Sequence, residues 1–217
     1  MIKWSPTGKV TARLDPGRGE ATTGILLAHG AGAGQDHPFI VTLRQSLARS
    51  GLGVMTFDYA YTAEDRKAPD RLPKLLEVHR AAADRLATYF DSVYLGGKSM
   101  GGRVASHLVG DGAWPAAGLI YYGYPLVAMG KSKPRDTSHL DRIAVPQLFL
   151  AGSRDRLGPT HLIAPLVGSL PAAQAVVIDD ADHSFKVPKR AGRSYDEVIT
   201  DLAAITADWI AGQPRPS

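Results

Sequence analysis

The sequence predicts an α/β fold, a central and mostly parallel sheet with helices on both faces. Three observations point there. Short β-rich runs alternate along the chain with longer stretches of helical character. The runs ILLA and QLFLA are apolar without a break, as suits strands covered on both faces. Strands joined through helices, in turn, return in parallel by right-handed crossovers. At 217 residues the chain reads as one domain. A domain of that size buries well over half of its unfolded surface and needs no cross-links. We assign the domain to residues 1–212 and a flexible tail to 213–217.

The strands, in order, are KVTARL (9–14), GILLAH (24–29), GVMTF (53–57), SVYLG (92–96), GLIYY (118–122), PQLFLAG (146–152) and QAVVI (174–178). Helices are predicted over 38–50, 74–90, 99–109, 160–168 and 195–211. Asp36, His37 and Pro38 begin the first, since proline suits a first helical position. In the second, KLLEVHRAAADRLATYF, apolar residues recur every three or four positions and make one buried face. Two polar, proline-containing segments, 58–73 and 123–146, fall outside the pattern. Each adjoins a strand, where an α/β fold builds its site. Neither is long enough for a cap domain, so any lid is minimal.

Composition excludes several classes. Hydrophobic residues at 44% and charged residues at 21% describe an ordinary soluble globular protein. The absence of cysteine removes disulfides, thiolate metal sites and cysteine nucleophiles together. The opening MIKWSPTGKVTARLDPG has no apolar core of a signal peptide. No segment approaches the roughly 18 apolar residues of a membrane helix. We therefore expect a cytoplasmic protein without membrane association. The net charge of +4 comes without a basic helix, zinc spacing or aromatic RNA-binding motif, so it reads as solvated surface rather than a nucleic-acid site. Oligomeric state has no signature in the sequence.

VYLGGKSMGGRVA, residues 93–105, sets four glycines (Gly96, Gly97, Gly101, Gly102) around Ser99 where a strand gives way to a helix. Glycine loses more backbone freedom on folding than any other residue, so the cluster demands a reason. Gly97-Lys98-Ser99-Met100-Gly101 reads G-x-S-x-G. Between strand and helix, that motif forces a sharp turn which strains the serine and holds its hydroxyl above the sheet. The Met100 amide then offers a donor, and the helix dipole a positive end, to a developing oxyanion. Two other readings compete. A phosphate-binding loop fails on spacing, because G-x-x-x-x-G-K-[ST] is absent. A serine that merely caps the helix is weighed against whether partners follow in order.

They do follow. PQLFLAGSRDRLGP reads as a strand and a turn carrying Asp155, and QAVVIDDADHSF as the next strand and a loop carrying His183. Serine, acid and histidine in that chain order match a nucleophile elbow. Asp155 would fix the imidazole tautomer while His183 takes the proton from Ser99. Asp179, Asp180 and Asp182 lie too near His183 to come from a separate strand end. His79 and His107 fall within helices as packing residues, and His139 and His161 in a loop or helix start. Upstream, GILLAH ends in HGAGAG, a loop almost free of side chains that can approach a reacting carbonyl closely. The Ala31 amide is the second oxyanion donor on this reading, with Gly32 its rival.

At these residues the sequence resembles the α/β-hydrolase superfamily over nearly its whole length. Within it, HGAGAGQDHPF, GGKSMGGRVAS, YPLVAMGKSKPRDTSHL, VPQLFLAGSRDRLG and DADHSF are most similar to small dienelactone-hydrolase-like proteins. The resemblance implies the α/β-hydrolase fold, a Ser99–Asp155–His183 triad, and neither metal nor organic cofactor. Dienelactone hydrolases themselves use a cysteine nucleophile. None exists here, so their substrate does not carry over.

The implied activity is that of a serine esterase working through an acyl-enzyme on a small-molecule ester or acyl substrate. Thioesterases, peptidases and acyltransferases use the same parts, and a non-catalytic interaction module on this scaffold is the competing class. Lys98, Lys131, Lys133, Arg135, Lys186, Lys189, Arg190 and Arg193 favour an anionic substrate if their loops border the site, and are otherwise solvated loop residues. Tyr59, Tyr61, Tyr122 and Tyr124 lie at or after strand ends, where they line a pocket or, equally, pack in the core. Gly32, His37, Lys98 and Tyr124 are the candidate substrate-binding residues.

Overall fold

A computed structural model describes residues 1–19 and 21–214. Of the expected tail, 215–217 lie outside the described residues. The chain opens with β1 (Ile2–Lys3) and β2 (Lys9–Val10), which pair antiparallel as a separate ribbon. Then come β3 (Ala12–Asp15), β4 (Thr23–Ala28), α1 (Pro38–Arg49), β5 (Gly53–Phe57), α2 (Ala60–Ala63), α3 (Leu72–Leu86) and β6 (Ser92–Lys98). The second half comprises α4 (Met100–Gly110), β7 (Gly118–Tyr122), β8 (Gln147–Gly152), α5 (Thr160–Ser169), β9 (Ala173–Ile178) and α6 (Tyr195–Ala211). Seven strands form one sheet in the order β3-β5-β4-β6-β7-β8-β9. Only β3 runs antiparallel to its neighbour.

Both faces of the sheet are apolar because successive strand residues point to opposite sides. Leu26, Leu95, Leu119, Tyr121 and Phe149 join the core beneath α3, α4 and α5. Ile25, Leu27, Ile120, Tyr122 and Leu148 join the core beneath α1 and α6. This double covering is why ILLA and QLFLA carry no polar alternation. Fully burying each such side chain contributes about 1.5–3 kcal/mol. Local signals fix the helix ends: Pro38 follows the N-cap His37, and Ser194 with Glu197 closes a reciprocal capping box on α6.

Three sequence expectations need correction. KVTARL is not one strand. Thr11 interrupts it, its hydroxyl donating to Asp58 Oδ2 and its carbonyl accepting the Asp58 amide, so Lys9–Val10 and Ala12–Asp15 pair in different sheets. The segment 58–73 is not all loop, for it holds the one-turn α2 and the start of α3, with Pro73 in the first turn. Finally, α3 ends at Leu86 rather than 90. The chain turns there so that the Phe90 ring can fill the space beside Gly24 and Gly53, where a Cβ would stand 2.5 and 2.0 Å from it.

Candidate active site

Ser99 is the single residue between β6 and α4, with φ 50° and ψ −111°. A non-glycine residue held there stores backbone strain of about 1–3 kcal/mol, which the surroundings must enforce. The flanking glycines show how. A Cβ on Gly97 would stand 2.3 Å from the Gly102 nitrogen, and one on Gly101 2.6 Å from the Ala28 carbonyl oxygen. The first turn of α4 lies directly against β6 and β4, with no room for a side chain at Gly97 or Gly101. Ser99 occupies the N-cap position but makes no side-chain capping bond. Its Oγ lies 2.9 Å from His183 Nε2 instead.

His183 sits on the loop after β9, and its Nδ1 lies 2.7 Å from Asp155 Oδ2. A carboxylate there accepts a hydrogen bond from Nδ1–H, which fixes the tautomer and leaves Nε2 free to accept from the serine hydroxyl. Asp155 follows β8, and its side chain is 1% exposed. Its Oδ1 accepts the amides of Leu157 at 2.7 Å and Gly158 at 3.0 Å. Burial opposes its charge, but the His183 hydrogen bond, the His183 charge and the two amides outweigh this and hold the carboxyl below its ordinary range. Asp182, a rival acid in sequence terms, has another task. Its Oδ1 accepts the amides of Ser184 and Lys186, and the loop it closes sends Phe185 into the core at φ 60°.

The loop after β4 turns tightly at residues 30–33, the Ala33 amide donating to the Gly30 carbonyl at 3.3 Å. Gly32 holds φ 69° at the third position of the turn, the conformation that favours glycine. Neither the Ala31 nor the Met100 amide has an acceptor among the described residues. The sequence reading missed what holds this loop. His29 Nε2 accepts the Tyr59 amide at 3.2 Å, which puts the ring proton on Nδ1, and Nδ1 donates to the Gly30 carbonyl at 2.8 Å. Asp58 accepts the Gln35 amide through Oδ1 and the Gln35 side chain through Oδ2. The signal was an acid placed directly after the strand GVMTF.

A cavity of about 240 Å³ opens over Ser99 and His183. Ala31, His37, Phe39, Lys98, Met129 and Leu157 are among its walls. Of the candidate substrate-binding residues, His37 and Lys98 line it, whereas Gly32 and Tyr124 do not. Tyr124 is a core residue, 2% exposed, with its hydroxyl 3.3 Å from both Ser106 Oγ and His139 Nε2. Tyr59, Tyr61 and Tyr122 are buried likewise. Core packing is thus the place of these four, because rings at these strand ends pack beneath the helices, while Tyr195 of α6 lines the cavity. Tyr59 and Tyr122 spend their hydroxyls on His79 and Thr206.

A mostly parallel seven-stranded sheet with a strained serine between a strand and a helix at its carboxyl edge defines the class, an α/β-hydrolase fold. Residues 21–211 match the model of an alpha/beta hydrolase domain family, and the chain belongs to that family. Solved structures agree on the fold. Dienelactone hydrolase from Anabaena variabilis superposes with a TM-score of 0.75 at 21% identity, covering 97% of this chain and 94% of that one. Est1E from Butyrivibrio proteoclasticus gives 0.74 at 17%, covering 97% and 98%. An α/β serine hydrolase without lid, XC6422 from Xanthomonas campestris, gives 0.73 at 16%, covering 99% and 95%.

Proposed function

We propose that the protein is a serine hydrolase that cleaves small carboxylic esters through an acyl-enzyme. The hydrogen-bonded chain from Ser99 through His183 to the buried Asp155 carries this reading. His183 takes the Ser99 proton as Oγ attacks the carbonyl carbon, and Asp155 stabilises the imidazolium that forms. The free amides of Ala31 and Met100 receive the oxyanion. His183 then protonates the departing alcohol, and water repeats the sequence to release the acid. Loss of one oxyanion donor would cost about 3 kcal/mol in the transition state.

The cavity supports short substrates. At about 240 Å³ it falls below the roughly 300 Å³ at which ligand pockets usually begin. Met129, from the short segment after β7, stands 84% exposed at its rim and is the nearest thing to a lid. Labelling by a fluorophosphonate probe tests the reading. The wild type should react and Ser99→Ala should not, with acetyl and butyryl esters turned over faster than long-chain ones. An unreactive wild type would remove the hydrolase reading.

A further inference from the structure

Of the eight basic residues that would favour an anion at the mouth, only Lys98 lines the cavity. Arg190 and Arg193 are paired with Asp180 and Asp201. Lys131, Lys133 and Arg135 are exposed, and these three, like Lys186 and Lys189, lie outside the cavity walls. The expected crowd of charge reduces to one side chain.

Lys98 leaves the end of β6 next to Ser99, and its stem runs beside Gly30, where a Cβ would stand 3.7 Å from Cγ. The ammonium lies 5.9 and 5.6 Å from the ring centroids of Phe39 and Phe185. It has no hydrogen-bond or ion-pair partner among the described residues. The position where a Gly123 Cβ would stand is 3.2 Å from Lys98 Nζ, 3.3 Å from His183 Nδ1 and 3.4 Å from Asp155 Oδ2. The cation therefore stands within the same small space as the Asp155–His183 pair.

Lys98 is half-buried at the cavity, and an ammonium drawn partly out of water without an ion-pair partner gains from meeting an anion. Burial pushes the Lys98 amine down to about 8, with Asp155 and Asp182 pulling the other way. Both carboxylates have other work. Asp155 serves His183, Leu157 and Gly158, and Asp182 Oδ1 serves two loop amides. No Asp or Glu lines the cavity. Helix α1 adds its positive end through His37 and Phe39, which line the same wall, and no acid stands in its first turn. The walls thus hold a cation and a dipole of one sign and no carboxylate of their own.

We propose that Lys98 is the anchor for a carboxylate carried by the ester that Ser99 attacks. This rests on the hydrolase reading and sharpens it from small esters to monoesters of dicarboxylic acids, or esters of an acid-bearing alcohol. The rival role for Lys98 is as a fixed counter-charge to Asp155, which would serve every substrate alike.

Matched probes separate the two. On the acyl side, the para-nitrophenyl monoester of glutarate is compared with its glutaramate analogue, and on the alcohol side para-acetoxybenzoate with para-acetoxybenzamide. The pair that shows the preference identifies which part of the ester carries the anion. The wild type should favour the carboxylate of one pair by about tenfold in kcat/KM, the worth of one charge-assisted hydrogen bond. That ratio should fall with added salt and approach one in Lys98→Met. Equal turnover within both pairs by the wild type, or a preference that survives Lys98→Met while both rates fall together, would overturn the proposal. Binding of glutarate against glutaramide to Ser99→Ala provides an arm that needs no turnover, and equal affinities there would overturn it too. A wild type that neither hydrolyses the probes nor takes the fluorophosphonate, yet binds glutarate preferentially, would instead sink the hydrolase reading and leave the anion site standing.

Discussion

The two ends of the sheet make opposite uses of space. At the amino end, where β4, β5 and β6 begin, a groove of about 620 Å³ is lined by Thr22, Thr23, Gly51, Leu52 and Ser92. At the carboxyl end the cavity is less than half as large. Yet only the smaller one has a serine, a histidine and an aspartate joined by hydrogen bonds of 2.9 and 2.7 Å. Volume does not make a site. In a parallel sheet every strand delivers its following loop to one edge, so residues distant in sequence, after β4, β6, β8 and β9, converge there.

The sharpest break in this comparison comes from Asp155→Asn. It keeps the shape of the carboxyl-end site but favours the wrong imidazole tautomer, so kcat on a small ester should fall about ten-thousand-fold with little change in the thermal midpoint. A smaller loss would mean that His183 is oriented by something other than Asp155. Next in size are the acid-stability effects of histidines that play no part at the rim. Burial, with His29 a smaller cause, pushes His79 down to about 3, and burial, with His107 and Arg103, pushes His139 down to about 4. Their folded values lie below the unfolded 6.5, so the unfolded chain binds more protons as pH falls. Stability is thus intact above 6.5 and lost on the way down to those values, by roughly 1.4 kcal/mol per pH unit for each histidine. Urea midpoints at pH 7 and pH 5, with His139→Gln as a flatter control, would reveal whether the slope exists.

Close packing at the elbow comes third. Gly101→Ala drives a methyl against the Ala28 and His29 carbonyl oxygens, and overpacking of this kind costs about 1–3 kcal/mol. A denaturant midpoint unchanged from wild type would show that α4 can retreat from the sheet. The smallest effect belongs to the amino end. Arg18→Ala alters the wall of the larger groove at an exposed position, and should leave stability within about 0.5 kcal/mol and esterase activity unchanged. A marked loss of activity would assign that groove a role after all.

Much of this was legible because it is local. G-x-S-x-G between a strand and a helix announces a turn, and the order serine, acid, histidine follows from successive strand ends. Proline after His37 marks a helix start in any context. What failed were inferences about partners. Tyr124 stands at a strand end, as a pocket residue would, yet its ring turned into the core beside Phe149. The basic residues look like one patch in the sequence, yet Arg190 pairs with Asp180 on the loop after β9 and Arg193 with Asp201 on α6.

By itself, the sequence determined the alternation of elements, the strained serine and the carboxyl-edge loops that carry Asp155 and His183, since each depends on residues adjacent along the chain. Tertiary structure alone decided which tyrosines left the pocket, which charges were cancelled and that Lys98 stayed unpaired between Phe39 and Phe185. The reason is physical. Backbone preference is a short-range property, whereas burial and electrostatic pairing are set by neighbours that only the completed packing supplies.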